Sequence, residues 1–120
     1  MKSVVLALFL LLALGCSAQI AVSYPGGTQK SYRPGDTVRM TVRVRLNPRS
    51  CVEGMKKTKI YFSECEDIHN GAWSKGANNI FTKEMVVRII GKKKDTARVT
   101  ISRNTDKESL FHQETFNILR

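Results

Sequence analysis

From Val38 onward the chain alternates: Val38, Met40, Val42 and Val44 are apolar, and Arg39, Thr41, Arg43 and Arg45 between them are polar. A period of two places each set on its own face of a β-strand. The preceding Tyr32-Arg33-Pro34-Gly35-Asp36 is turn chemistry, since proline fixes φ and glycine accepts positive φ. Asn47-Pro48 ends the strand. The pattern recurs along the chain. Residues 20–24 predict a short first strand, closed by Pro25-Gly26-Gly27. Thr58, Ile60 and Phe62 alternate with Lys59, Tyr61 and Ser63. Residues 81–90 read as a long strand, β-branched toward its end. Ala97, Val99 and Ile101 alternate with Arg98, Thr100 and Ser102, and residues 110–118 supply the last strand.

Helical periodicity is weak throughout. Thr105 with Glu108 has capping-box spacing, which fits a single turn before the final strand. About six or seven strands at short spacing predict an all-β, antiparallel two-sheet sandwich. A closed barrel is the alternative architecture.

The chain's first residues alter the size of that domain. In MKSVVLALFLLLALGCSAQ, Lys2 precedes an apolar run that gives way to small residues, the layout of a secretory signal peptide. The run is shorter than the roughly 20 apolar residues of a membrane span. Cleavage after Ala18 divides the chain into a signal peptide, 1–18, and one domain, 19–120. LALGC also resembles a bacterial lipobox, with Cys16 as the lipidated residue, although Leu14 is bulkier than that motif prefers. The protein is therefore expected to be exported, periplasmic or secreted, and membrane-associated if Cys16 carries lipid.

The stretch YRPGDTVRMTVRV resembles the strand-opening motif of bacterial immunoglobulin-like modules and macroglobulin-type domains. The resemblance implies an immunoglobulin-like sandwich used as a binding or spacer module. It carries over no functional residues. The Cys…Trp…Cys spacing of antibody domains is absent, since Trp73 follows Cys51 and Cys65, and no tyrosine occupies the strand ending at Arg103. A Cys-Gly-Glu-Gln thioester stretch is absent too.

Charge narrows the partners. The chain carries 20 Lys and Arg against 10 Asp and Glu, a formal net charge of +10. Residues 19–63 hold nine of the bases against two acids, Asp36 and Glu53, so the bias belongs to the first half. A field of that sign favours acidic surfaces and polyanions. If Val38 to Val44 face the core, Arg39, Arg43 and Arg45 face outward, with Glu84 a candidate cross-strand partner. Lys57 and Lys59 add outward charge from another strand, and Lys92, Lys93 and Lys94 sit in GKKKDT, a predicted hairpin tip. These eight residues form the predicted anion-binding set. Lipopolysaccharide, acidic glycan and acidic lipid are the accessible ligands for an exported protein, or else a protein partner. Nucleic acid is the weaker candidate, because Tyr61 is the only outward aromatic near the set. The competing view is that the arginines are the wet side of a strand.

Cys51 and Cys65 in an oxidising compartment suggest a disulfide. Geometry pulls the other way. The predicted strand between them spans roughly 20 Å, so the residues after Cys51 would have to double back to bring the two within bonding reach. Cys65, Glu66, Asp67 and His69 are weak metal-ligand candidates, since their spacing matches no paired-ligand signature. No G-x-S-x-G, H-E-x-x-H or glycine-rich phosphate loop occurs, so neither catalysis nor a cofactor is expected. The sequence predicts an exported, non-catalytic binding or accessory module, with a polyanion- or acidic-surface-binding protein as the alternative and a metal-binding or thiol-reactive protein centred on Cys51, Cys65 and His69 as the weaker one.

Overall fold

The computed structural model describes residues 18–46, 54–104 and 109–119. Among them the chain is all-β, with only two short 3-10 turns, Gly54–Lys57 and Ala77–Asn79. Eight strands follow in order: β1 (Ala18–Ser23), β2 (Thr37–Leu46), β3 (Thr58–Ser63), β4 (Cys65–Asp67), β5 (Ser74–Lys75), β6 (Ile80–Ile89), β7 (Thr96–Asn104) and β8 (Ser109–Asn117). They form two antiparallel sheets. One has the order β1-β2-β6-β4, with the two-residue β5 also pairing with β6, and the other has the order β3-β7-β8.

The alternation in β2 is realised, with Thr41 the one outward position that is also covered. Val38, Met40, Val42 and Val44 are buried, and Arg39, Arg43 and Arg45 are exposed. Met85, Val87 and Ile89 of β6 extend the same inner face, and Ala97, Val99 and Ile101 of β7 meet it from the other sheet. Each sheet covers the other's apolar face. Trp73 packs partly buried against this core from the segment before β5.

Three features frame the sheets, a turn leading into β2 and two links between the layers. In the first, Asp36 N–H donates to the Arg33 carbonyl at 2.9 Å while the Asp36 carboxylate accepts from Arg33 N–H at 2.8 Å. Pro34 and Gly35, with Gly35 at φ 95°, make this a type II turn. The second is a single residue, Glu64, at φ 59°, which carries the chain from β3 in one sheet to β4 in the other. Its carbonyl accepts from Ile90 N–H at 2.9 Å. The third is the bridge between Tyr32 and Ile118, where Tyr32 N–H donates to Asn117 at 2.8 Å.

The lysine-rich stretch 91–95 is not a hairpin tip, which corrects the sequence-based expectation. Both edges of β6 are already occupied, by β2 on one side and by β4 and β5 on the other. The chain therefore leaves for the other sheet, and Gly91 to Asp95 is a crossover. The predicted signal peptide lies outside the described residues, apart from Ala18, which opens β1. Among the described residues no helix is long and apolar enough to cross a membrane.

Candidate anion-binding surfaces

The eight basic residues of the predicted set occupy three separate places. Arg39, Arg43 and Arg45 share the outer face of the β1-β2-β6-β4 sheet. Lys59 faces outward from the opposite sheet, with Lys57 just ahead of β3. Lys92, Lys93 and Lys94 lie exposed on the crossover at the end of the sandwich where β2 begins. Sequence order concealed this division, because the strand face of β2 and that of β3 lie back to back.

On the first face, register decides which charges meet. Arg39 lies opposite Val86, Arg43 opposite Thr82 and Arg45 opposite Ile80, while Glu84 falls opposite Thr41. The expected cross-strand partner is thus displaced by two residues from Arg39 and from Arg43. Such diagonal neighbours stand about 7–8 Å apart. Arg43 Nη1 donates to Ser23 Oγ at 3.2 Å on β1. No described residue forms an ion pair with any of these three arginines. The carboxylate farther along the sheet, Glu66, is engaged by Arg88. Thr41 faces outward yet is only 6% exposed, as expected for a short residue flanked by arginine stems.

The second face carries a shallow cleft of about 190 Å³ lined by Lys57, Lys59, Tyr61, Ser102 and Asn104. Lys59 is paired in register with Ser102, and Ser102 in turn with Phe111. Phe111 is 69% exposed and Tyr61 56% exposed. Tyr61 is therefore not the only outward aromatic near the lysines. Leu110 and Phe116 mark the inner face of β8, and Phe111 lies out of phase with them on the outer face. Strict alternation along β8 would have found it.

The sulfur and acidic candidates are dispersed. Cys65 points into the core as a free thiol, donating to the Arg98 carbonyl at 3.4 Å. Burial pushes its pKa up to about 11, so at neutral pH it is a poor ligand and a poor nucleophile. Its expected disulfide partner, Cys51, lies outside the described residues, as does Cys16, and among the described residues no disulfide is present. Glu66 alternates to the outer face. Asp67 caps the following turn, accepting from His69 N–H at 3.0 Å and Asn70 N–H at 3.4 Å. The predicted ligand group is thus divided by the pleat and by local hydrogen bonds, and no cluster of three such ligands occurs among the described residues.

One polar constellation was not read from the sequence. Glu114, on the inner face of β8, accepts from the Tyr24 hydroxyl and lies 2.6 Å from His112 Nε2. Tyr24 and Tyr32 both meet the Phe116 ring edge-on, with centroids 6.1 and 5.6 Å away. Burial first, then the hydrogen bond and negative charge of Glu114, hold the Tyr24 phenol far above its ordinary pKa. The cluster seals the seam where β1 and β8, the edges of the two sheets, approach one another. Its signal was the polar pair His112 and Glu114 at inward positions of an otherwise apolar alternation.

Comparison with protein families, with curated proteins and with solved structures yields no match to this chain.

Proposed function

We propose that the chain is an exported, non-catalytic binding module with an immunoglobulin-like sandwich, and that its basic faces engage an acidic partner. The observation that carries this reading is the arginine row: three exposed guanidiniums on one strand face, none in an ion pair with a described residue. Solvent-facing charge of one sign raises the encounter rate and affinity of a partner of the other. The strand orders support the immunoglobulin-like part. If the strands are lettered A to G with β4 and β5 sharing the fourth place, the sheets run A-B-E-D and C-F-G. Export rests on the amino-terminal apolar run.

The test is retention on heparin and on lipopolysaccharide across a salt series, beside a variant with Arg39, Arg43 and Arg45 all changed to Glu. Binding that weakens linearly in log salt, and that is released at markedly lower salt in the folded variant, supports the reading. Equal, feeble retention of both proteins reduces the row to the wet side of a strand.

A further inference from the structure

Resting on the reading of this chain as an anion-binding module, we infer that the outer face of the β3-β7-β8 sheet holds an acidic saccharide in the cleft at Lys57, Lys59, Tyr61, Ser102 and Asn104. The ligand class follows from the lining. Two ammonium groups supply charge for a carboxylate or sulfate, and none of the five lining residues is acidic. Tyr61, more than half exposed, offers a flat ring against which the C–H face of a sugar can stack. Ser102 and Asn104 are neutral donors and acceptors, the groups that match sugar hydroxyls.

Part of the cleft is pre-oriented. Asn104 Oδ1 accepts from Ser109 Oγ at 2.8 Å, which turns its amide nitrogen toward Ser102 Oγ, 3.4 Å away. The ends of β7 and β8 thereby fix one polar wall, and register fixes the other by setting Lys59 beside Ser102. A volume of about 190 Å³ accommodates one sugar ring, with neighbouring rings of a chain lying along the sheet. Preset donors reduce the ordering cost of binding.

The aromatic spacing argues against single-stranded nucleic acid. Tyr61 and Phe111 are two strands and two residues apart in register, about 12 Å between Cα atoms at ordinary sheet spacings. Nucleic-acid platforms stack successive bases on their aromatics. Rings this far apart do not receive adjacent bases.

The experiment is calorimetric titration of the full chain with a heparin-derived tetrasaccharide, tetragalacturonate, neutral maltotetraose and a twelve-residue oligothymidylate. Three variants accompany it: Lys57→Ala with Lys59→Ala, Tyr61→Ala, and Arg39→Gln with Arg43→Gln and Arg45→Gln. All the altered side chains are exposed, and a thermal melt verifies that each variant folds. An acidic tetrasaccharide is expected to bind where maltotetraose does not. The lysine pair and Tyr61→Ala should each weaken it by about tenfold or more, and the arginine variant by less than about twofold. Loss of binding in the arginine variant alone would overturn the cleft while sparing the binding-module reading. Tighter binding of the oligothymidylate through the same lysines and Tyr61 would reassign the face to nucleic acid. Silence from every acidic probe at low salt would remove both proposals.

Discussion

The Arg103 guanidinium is fully buried on the inner face of β7 and donates through Nη1 to Thr58 Oγ1 at 3.1 Å on β3. A buried cation needs acceptors around it, because desolvation is costly and each charged hydrogen bond offsets part of that cost. Thr58→Val keeps the shape and deletes the acceptor, and it should lower stability by about 1.5–3 kcal/mol. Arg103→Ala also leaves a void and should cost about 3–5 kcal/mol. Urea denaturation measures both. A neutral Thr58→Val would show that this hydrogen bond contributes nothing net.

Two raised acid constants set an alkaline limit. Cys65 is pushed up to about 11 by burial, and Tyr24 is raised by burial and by Glu114. Both groups hold their proton more tightly folded than unfolded, so above their unfolded values the unfolded chain binds fewer protons. Stability is then full below the unfolded cysteine value of about 9 and declines as pH rises through 9 to 11, with Tyr24 adding to the loss above about 10. The urea midpoint should fall steadily across that window. Tyr24→Phe should remove the upper part of the fall and Cys65→Ala the lower part. A flat profile in the parent chain would contradict both assignments.

The same burial predicts how Cys65 reacts. A thiol 5% exposed and largely protonated at neutral pH should resist alkylation in the native protein and react at once in urea. Rapid native labelling at Cys65, located by peptide mass, would place it outside the core.

Period-two alternation made the fold legible wherever one face of a strand is buried. Val38 to Val44 and Ala97 to Ile101 sort inward and outward as their pattern requires. The short strands β4 and β5 were not legible, because three and two residues are too few to display a period. Nor was sheet membership. Alternation says which way Lys59 and Arg43 point along their own strands, but not that the strands lie in opposite layers. That depends on pairing partners distant in sequence, such as β2 with β6. The basic residues of the predicted set were therefore legible singly, and their division into three surfaces was not. The Lys57–Asn104 cleft needed the β3–β7 register to appear at all.

Gly91 joins the crossover to the turn before β2. Its φ is 63°, and a Cβ built there would stand 3.1 Å from Ile118 Cγ2 and 3.3 Å from Pro34 Cγ. Gly91→Ala therefore adds a crowded methyl to a left-handed backbone and should cost about 1–3 kcal/mol. Gly35, at φ 95° but with open space around it, isolates the backbone contribution. Gly35→Ala should cost about 1 kcal/mol. Equal losses at the two sites would mean that Ile118 and Pro34 yield freely, and differential urea melts separate the outcomes.

Glu84 tests the arginine row without touching an arginine. It is exposed, lies opposite Thr41, and stands diagonal to both Arg39 and Arg43. It forms no ion pair with the row among the described residues, so on the proposed reading its negative charge opposes an acidic ligand there. Glu84→Gln should therefore raise the salt concentration needed to elute the chain from heparin, the opposite of what an arginine substitution does. Stability should change by no more than about 0.5 kcal/mol, because exposed charges at this separation couple weakly. If the carboxylate instead holds the two guanidiniums in position, its removal would loosen them and elution would come earlier. An earlier elution with unchanged stability would assign Glu84 to positioning the row, and a later one would assign it to screening.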